Sequence, residues 1–379
     1  MSPRLRLVLL LTFSSACYLS HEPREPAAPE PCHGSPAPQC STRPAPCEAL
    51  TLVAPSCDGD HWVCPTDSQL HTAPWSEGTC LPRMAPGAGS SEVIHEAPLS
   101  VPIDGVCSWV FPAGSDPKIL SAVPVPSDCA SLGQPVPVST TAAASDYLSL
   151  QASFFDAQNR VRVLARGWTF DPNITFGVRS DGVGPALVAG RTIQVATPWL
   201  FDNTLDLGDA AVVDAGFLYA YGCPGAPQWL EEDCNVGRAP LARIDESSAW
   251  SVLGEGGWGV GKPLRVFGSG PHRGPVVHDP RGGFLHVYAI GFGSTVELTH
   301  ADRPEGPWGE PKELMKCQLP ADDPGAYCAG PVVYLELFDP TLPNELVVGY
   351  SIGTTSADGE QRRKANPAAY WPRVVRTSR

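Results

Sequence analysis

The sequence predicts an all-β fold made of repeated strand pairs, and three observations carry that prediction. Short apolar runs recur in pairs around turns, Pro (42) and Gly (37) are abundant, and no stretch sustains a helical period. The pairs fall at 97–111, 148–164, 209–221, 274–288 and 330–350, and two of them open identically with Gly-Pro-Val-Val, at Gly274 and Gly330. Their starts lie 51, 61, 65 and 56 residues apart, the length of one four-stranded antiparallel sheet per repeat. Five such units predict a five-bladed β-propeller over residues 93–379, with helix a minor component.

The turns between paired runs have a local cause. In the fourth copy, Val276-Val277 and Phe284 to Tyr288 flank His278-Asp279-Pro280-Arg281-Gly282-Gly283; Asp-Pro starts a turn and Gly-Gly permits positive φ. The third copy turns on Asp214-Ala215-Gly216. Residues 295–300 then alternate as a strand with one buried face, and 301–308 close the unit with a turn and Trp308, expected as packing between blades.

Upstream of the repeats the composition changes. Residues 1–16 have a secretory layout: Arg4 and Arg6, an apolar core over 7–13, and small residues up to Ala16. Small residues followed at once by Cys17 resemble a bacterial lipobox, with Cys17 the lipidated residue, although Ser14 stands where Leu is usual and ordinary cleavage after Ala16 also fits. Residues 17–56 are crowded with Pro, Ala, Glu and Ser and read as an extended tether. Residues 57–92 are denser in Cys and Trp and read as a disulfide-held cap too small to fold unaided.

Thirteen cysteines are an odd number, and lipidation of Cys17 would leave twelve to pair in an oxidising compartment. Cys223 with Cys234 and Cys317 with Cys328 each enclose a short Pro-rich loop, and Cys107 with Cys129 would brace the first blade. The six between Cys32 and Cys80 allow 15 connectivities. Their spacings lack a C-x2-C pair, so no metal is expected there, and no cofactor elsewhere. The reading is an exported protein, a bacterial outer-membrane lipoprotein or extracellular, touching a membrane only through a lipid anchor and otherwise monomeric.

The formal charge of −14 leaves no basic stripe for phosphates, which excludes a nucleic-acid partner and favours a neutral or cationic ligand. No nucleophile elbow, phosphate loop or zinc-protease signature is present, so acyl and phosphoryl transfer have no support.

The stretches 170–184, 213–223, 234–243, 301–308 and 327–330 together resemble a bacterial exported family of unknown function with a glycoside-hydrolase-like five-bladed propeller. The resemblance covers residues 93–379. It implies a shape related to furanosidases and arabinanases, not their activity.

Glycosidases of that shape set carboxylates around a central funnel, one to protonate the leaving oxygen and another to activate water or attack carbon. Asp104, Asp209 and Glu336 are the catalytic candidates by position: Asp104 ends the first inner run, Asp209 opens the third, and Glu336 follows the apolar start of the fifth. A turn role for Asp104 and a strand-entry role for Asp209 compete with catalysis. Four histidines, at 272, 278, 286 and 300, fall in the fourth copy and are read as ordinary strand residues. Two functions follow: binding of a glycan or protein ligand without turnover, and, as the alternative, glycoside hydrolysis of an extracellular polysaccharide.

Overall fold

The computed structural model describes residues 32, 37–58, 61–70, 79–80, 97–112, 120–125, 135–141, 145–171, 173, 178–196, 199–201, 207–223, 234–267, 274–370 and 372–379. Strands dominate; the described helices are one short α-helix, Gly359–Ala365, and a few 3-10 turns. The leader, Cys17, His272 and Cys129 lie outside the described residues.

Each apolar pair becomes a hairpin that seeds a sheet. Leu99–Ile103, Val106–Pro112, Leu120–Pro124 and Val136–Thr140 form one antiparallel meander, and Tyr147–Phe155, Val161–Phe170, Val178–Ala189 and Thr192–Gln194 form a second. The two join edge to edge through the parallel pairs Ser139↔Thr192 and Thr140↔Ile193, giving an eight-stranded sheet. The third sheet runs from Ala210–Asp214 through Phe217–Gly222, Asn235–Pro240 and Ser251–Gly254 to Gly257–Trp258. The fourth holds Val276–His278, Phe284–Ala289, Thr295–Ala301 and Lys312–Lys316.

The last sheet, Ala326–Val333, Glu345–Thr354 and Arg373–Ser378, takes its fourth strand from far upstream: Thr79–Cys80 pairs with Val375 and Val374. An uncovered Arg373–Ser378 would present a row of unpaired amides and carbonyls. Two residues of the segment expected as a disulfide-held cap thus supply the edge strand of the last sheet.

Five apolar clusters lie between successive sheets. Val101 and Val110 pack with Val163 and Ala186, Leu164 and Val183 with Leu218 and Ala220, Tyr219 and Val236 with Val276 and Phe284, and Leu285 and Val287 with Leu346 and Val348. Trp109 and Phe111 then meet Tyr334 and Val347, which joins the last sheet to the first. The strands that open each sheet therefore line a common axis. Trp308 packs as expected, 5.2 Å from Phe267 and 6.5 Å from Tyr221 between ring centroids, at the junction of the third and fourth sheets.

An aspartate stands at the hairpin after every opening strand: Asp104, Asp156, Asp214, Asp279 and Asp339. Asp156 accepts from the backbone N–H groups of Gln158 and Arg160 at 3.0 Å, and Asp279 from that of Arg281 at 2.8 Å. Asp339 accepts from the Thr341 N–H at 2.8 Å, so three of the five carboxylates close their own turns. Two other turns use paired positive φ, Asp104 (50°) with Gly105 (77°) and Ala215 (46°) with Gly216 (80°), the signature of a two-residue type I′ hairpin.

The disulfides are those of a protein folded in an oxidising compartment, hence an exported chain. Cys223–Cys234 and Cys317–Cys328 close the two short loops. Cys107 is bonded to Cys47, not to Cys129. Nearness in sequence favours Cys129 as the partner, whereas folding brings residue 47 against the first hairpin. Cys32–Cys57 and Cys40–Cys64 staple the rest of this region. Within the segment expected as an extended tether, Cys40–Thr42 and Thr51–Val53 instead form strands, and Cys40–Thr42 pairs with both Thr51–Val53 and Gln69–Leu70.

Among the described residues no helix is long and apolar enough to cross a membrane.

Candidate functional site

A cavity of about 550 Å³ occupies the axis, within the range of ligand-binding clefts. Its lining comes from all the opening strands and includes four charged side chains, Arg166, Asp209, Glu336 and Arg363.

Arg166 lies on Val161–Phe170 and Asp209 immediately precedes Ala210–Asp214. Arg166 Nη2 donates to Asp209 Oδ1 at 3.0 Å, and the Cys223 backbone N–H donates to Oδ2 at 2.7 Å, so both carboxylate oxygens are engaged. Gly208 makes the approach feasible, because a Cβ there would stand 2.8 Å from Arg166 Nη2. The guanidinium carbon also sits 5.3 Å from the centre of the Trp168 ring. Trp168 Nε1 donates to Ser149 Oγ at 2.8 Å, and Tyr147 stacks on the indole at 6.0 Å, which fixes its plane on the cavity wall.

Glu336 is not on a strand. It occupies a 3-10 turn, Leu335–Leu337, and is 3% exposed. Ser100 Oγ and Trp109 Nε1 both donate to Oε1, and Arg43 Nη2 donates to the Glu336 carbonyl at 2.9 Å. Burial pushes the carboxyl above the ordinary glutamate range; the hydrogen bonds from Ser100 and Trp109 and the charge of Arg43 oppose that without overcoming it.

Asp104 is absent from the cavity lining. It sits in the first hairpin turn, about half exposed, and Arg191 Nε donates to it at 2.9 Å. The fold thus brings Asp209 and Glu336 to one cavity and leaves Asp104 with the hairpin aspartates. His278 and His300 each meet a backbone carbonyl, of Val213 and Gly282 respectively, and His286 stacks on Phe267 at 3.8 Å.

The far wall carries residues that sequence reasoning missed. Tyr327 covers Gly353, where a Cβ would stand 2.3 Å from its Cζ, and meets Phe292 edge-on at 4.9 Å. Burial raises its hydroxyl above the ordinary tyrosine range, and the Arg363 charge pulls the other way. Arg363 projects from Gly359–Ala365, whose other basic residues are paired: Arg362 with Asp358 at 2.8 Å and Lys364 with Glu360 at 2.7 Å. The Ser351 hydroxyl, 2% exposed, lines the cavity with no hydrogen-bond partner among the described residues. No sequence signal distinguishes Arg363 from its neighbours in Gln361-Arg362-Arg363-Lys364.

Among the described residues no group of three or more His, Cys, Asp or Glu side chains is disposed to hold a metal ion.

No protein-family model matches the chain, and no curated protein sequence matches it. Solved structures do. The catalytic domain of a Coprinopsis cinerea GH62 alpha-L-arabinofuranosidase aligns at 13% identity over 78% of this chain and 95% of its own, with a TM-score of 0.49. An endo-arabinase from Bacteroides thetaiotaomicron aligns at 11% identity over 80% and 98%, with a TM-score of 0.46. A Penicillium chrysogenum alpha-L-arabinanase aligns at 9% identity over 79% and 96%, with a TM-score of 0.40.

Proposed function

We propose that this chain is an exported five-bladed propeller that binds a glycan in its axial cavity without turning it over. The ring of inter-sheet clusters supports five blades around one funnel, the last closed by Thr79–Cys80. Cys17 is proposed as the lipidated first residue after removal of 1–16, which would hold the propeller at the outer membrane.

One observation carries the absence of turnover. Hydrolysis by two carboxyl groups needs one free to donate a proton and one free to activate water or attack. Here both oxygens of Asp209 are engaged by Arg166 and the Cys223 amide, and Glu336 is sealed beneath Ser100 and Trp109. The remaining wall suits binding: Trp168 and Tyr327 offer flat aromatic surfaces, and Ser351 offers a hydroxyl.

The glycosidase alternative has its own support, since Asp209 and Glu336 line one cavity and burial raises the Glu336 carboxyl in the manner of a proton donor. Incubation with polysaccharides and their oligosaccharides, followed by mass spectrometry of the products and by affinity measurement, separates the two. Binding with intact ligand is the expected result. Shortened products that disappear with Asp209→Asn would establish hydrolysis instead.

A further inference from the structure

The cavity contains two cations and two carboxylates, and they are not equivalent. Arg166 and Asp209 neutralise each other at 3.0 Å with side-chain exposures of 2% and 9%. Glu336 is enclosed by Ser100 and Trp109, with Arg43 beside it. Arg363 makes no hydrogen bond or ion pair with any described residue, because the acidic residues of its helix, Glu360 and Asp358, serve Lys364 and Arg362. Its charge falls instead on the Tyr327 hydroxyl across the same wall.

We infer that the axial cavity selects an acidic glycan, one bearing a uronic-acid carboxylate, and that Arg363 is the residue that binds that carboxylate. The inference rests on the glycan-binding reading and narrows its ligand class. It reverses the expectation drawn from the net charge of −14: total charge sets the distant field, which salt screens within about 10 Å, whereas a ligand in a cavity meets the nearest unbalanced charge. A planar guanidinium matches a carboxylate through two parallel N–H donors. The Tyr327 and Ser351 hydroxyls and the Trp168 face supply what sugar hydroxyls and C–H faces need. Tyr327 and Ser351 reach this wall from adjacent strands of the last sheet, so the two hydroxyl contacts fall on one sheet, and Arg363 comes from the helix that follows its second strand.

The test uses the full exported chain and matched probes: oligosaccharides of galacturonate, glucuronate and mannuronate, each beside its carboxyl-reduced neutral counterpart. Calorimetric or fluorescence titration is expected to show at least one acid bound about tenfold or more tightly than its neutral partner. Arg363→Gln should remove that difference, Arg363→Lys should restore part of it, and the preference should shrink as salt rises. Neutral and acidic partners bound alike, with Arg363→Gln indifferent, would overturn the acidic selectivity and leave glycan binding standing. No binding of either member of any pair would overturn the glycan reading and this inference with it.

Discussion

Arg166 and Asp209 meet at 3.0 Å across the joint between the second and third sheets, and that contact occupies the carboxylate that sequence position alone offered for catalysis. The pair is nearly solvent-free, so its worth lies in mutual neutralisation. Removing one partner of a buried pair strands the other charge at a cost of about 3–5 kcal/mol.

Asp209→Ala is therefore expected to lower unfolding free energy by about 3–5 kcal/mol in urea denaturation, and Arg166→Met combined with Asp209→Leu to recover much of the loss. A single-variant cost below about 1 kcal/mol would mean the carboxylate is solvated and open to substrate.

Glu336 makes a prediction about pH. An acid whose folded value is raised favours the native state while protonated, so stability falls as pH climbs from the ordinary glutamate range through the raised value. Glu336→Gln keeps the shape and an acceptor for Ser100 and removes that slope. Its melting temperature should vary less with pH from acid to neutral and equal or exceed that of the wild type at neutral pH. A lower value for the variant at neutral pH would show that the ionised carboxylate with Arg43 is the stabilising form.

Non-reducing peptide mapping should recover Cys47 joined to Cys107, across a sequence separation of 60. Closing a loop of that length stabilises by about 4 kcal/mol in the chain-entropy model, so Cys47→Ser with Cys107→Ser should lose stability on that scale. Recovery of Cys107 joined to Cys129 would refute the pairing.

Gly353→Ala probes the cavity wall. The new methyl would lie 2.3 Å from Tyr327 Cζ, so the ring must move at a cost of about 1–3 kcal/mol. Glycan affinity should fall while the chain still folds, as read by titration beside a melting curve. Unchanged affinity would remove Tyr327 from the binding surface.

The all-β class and the opening hairpin of each sheet were legible in the sequence because they are local. Paired apolar runs bury one face, and turns such as Asp104-Gly105 and Asp279-Pro280 state their own geometry. Short disulfide loops such as Cys223–Cys234 were legible for the same reason. The five hairpin aspartates were equally readable, and with them Asp104 belongs to a structural series.

Closure of the sheet system, by contrast, was decided in three dimensions. Thr79–Cys80 pairs with a strand nearly three hundred positions later, and Cys47 bonds Cys107 across a change of composition. Neither leaves a periodic trace in sequence. The chemistry of the axis was decided the same way: Asp209 and Glu336 both reach the cavity as their positions proposed, but whether a carboxylate there is free depends on Arg166, Ser100, Trp109 and Arg43, which arrive from other elements. Sequence determined which residues could turn, pair and alternate, since those preferences act over a few neighbours. Tertiary structure decided which charges remained unbalanced, because electrostatic partners are chosen by distance in space, and among the described residues of this cavity that choice leaves Arg363 without a carboxylate partner.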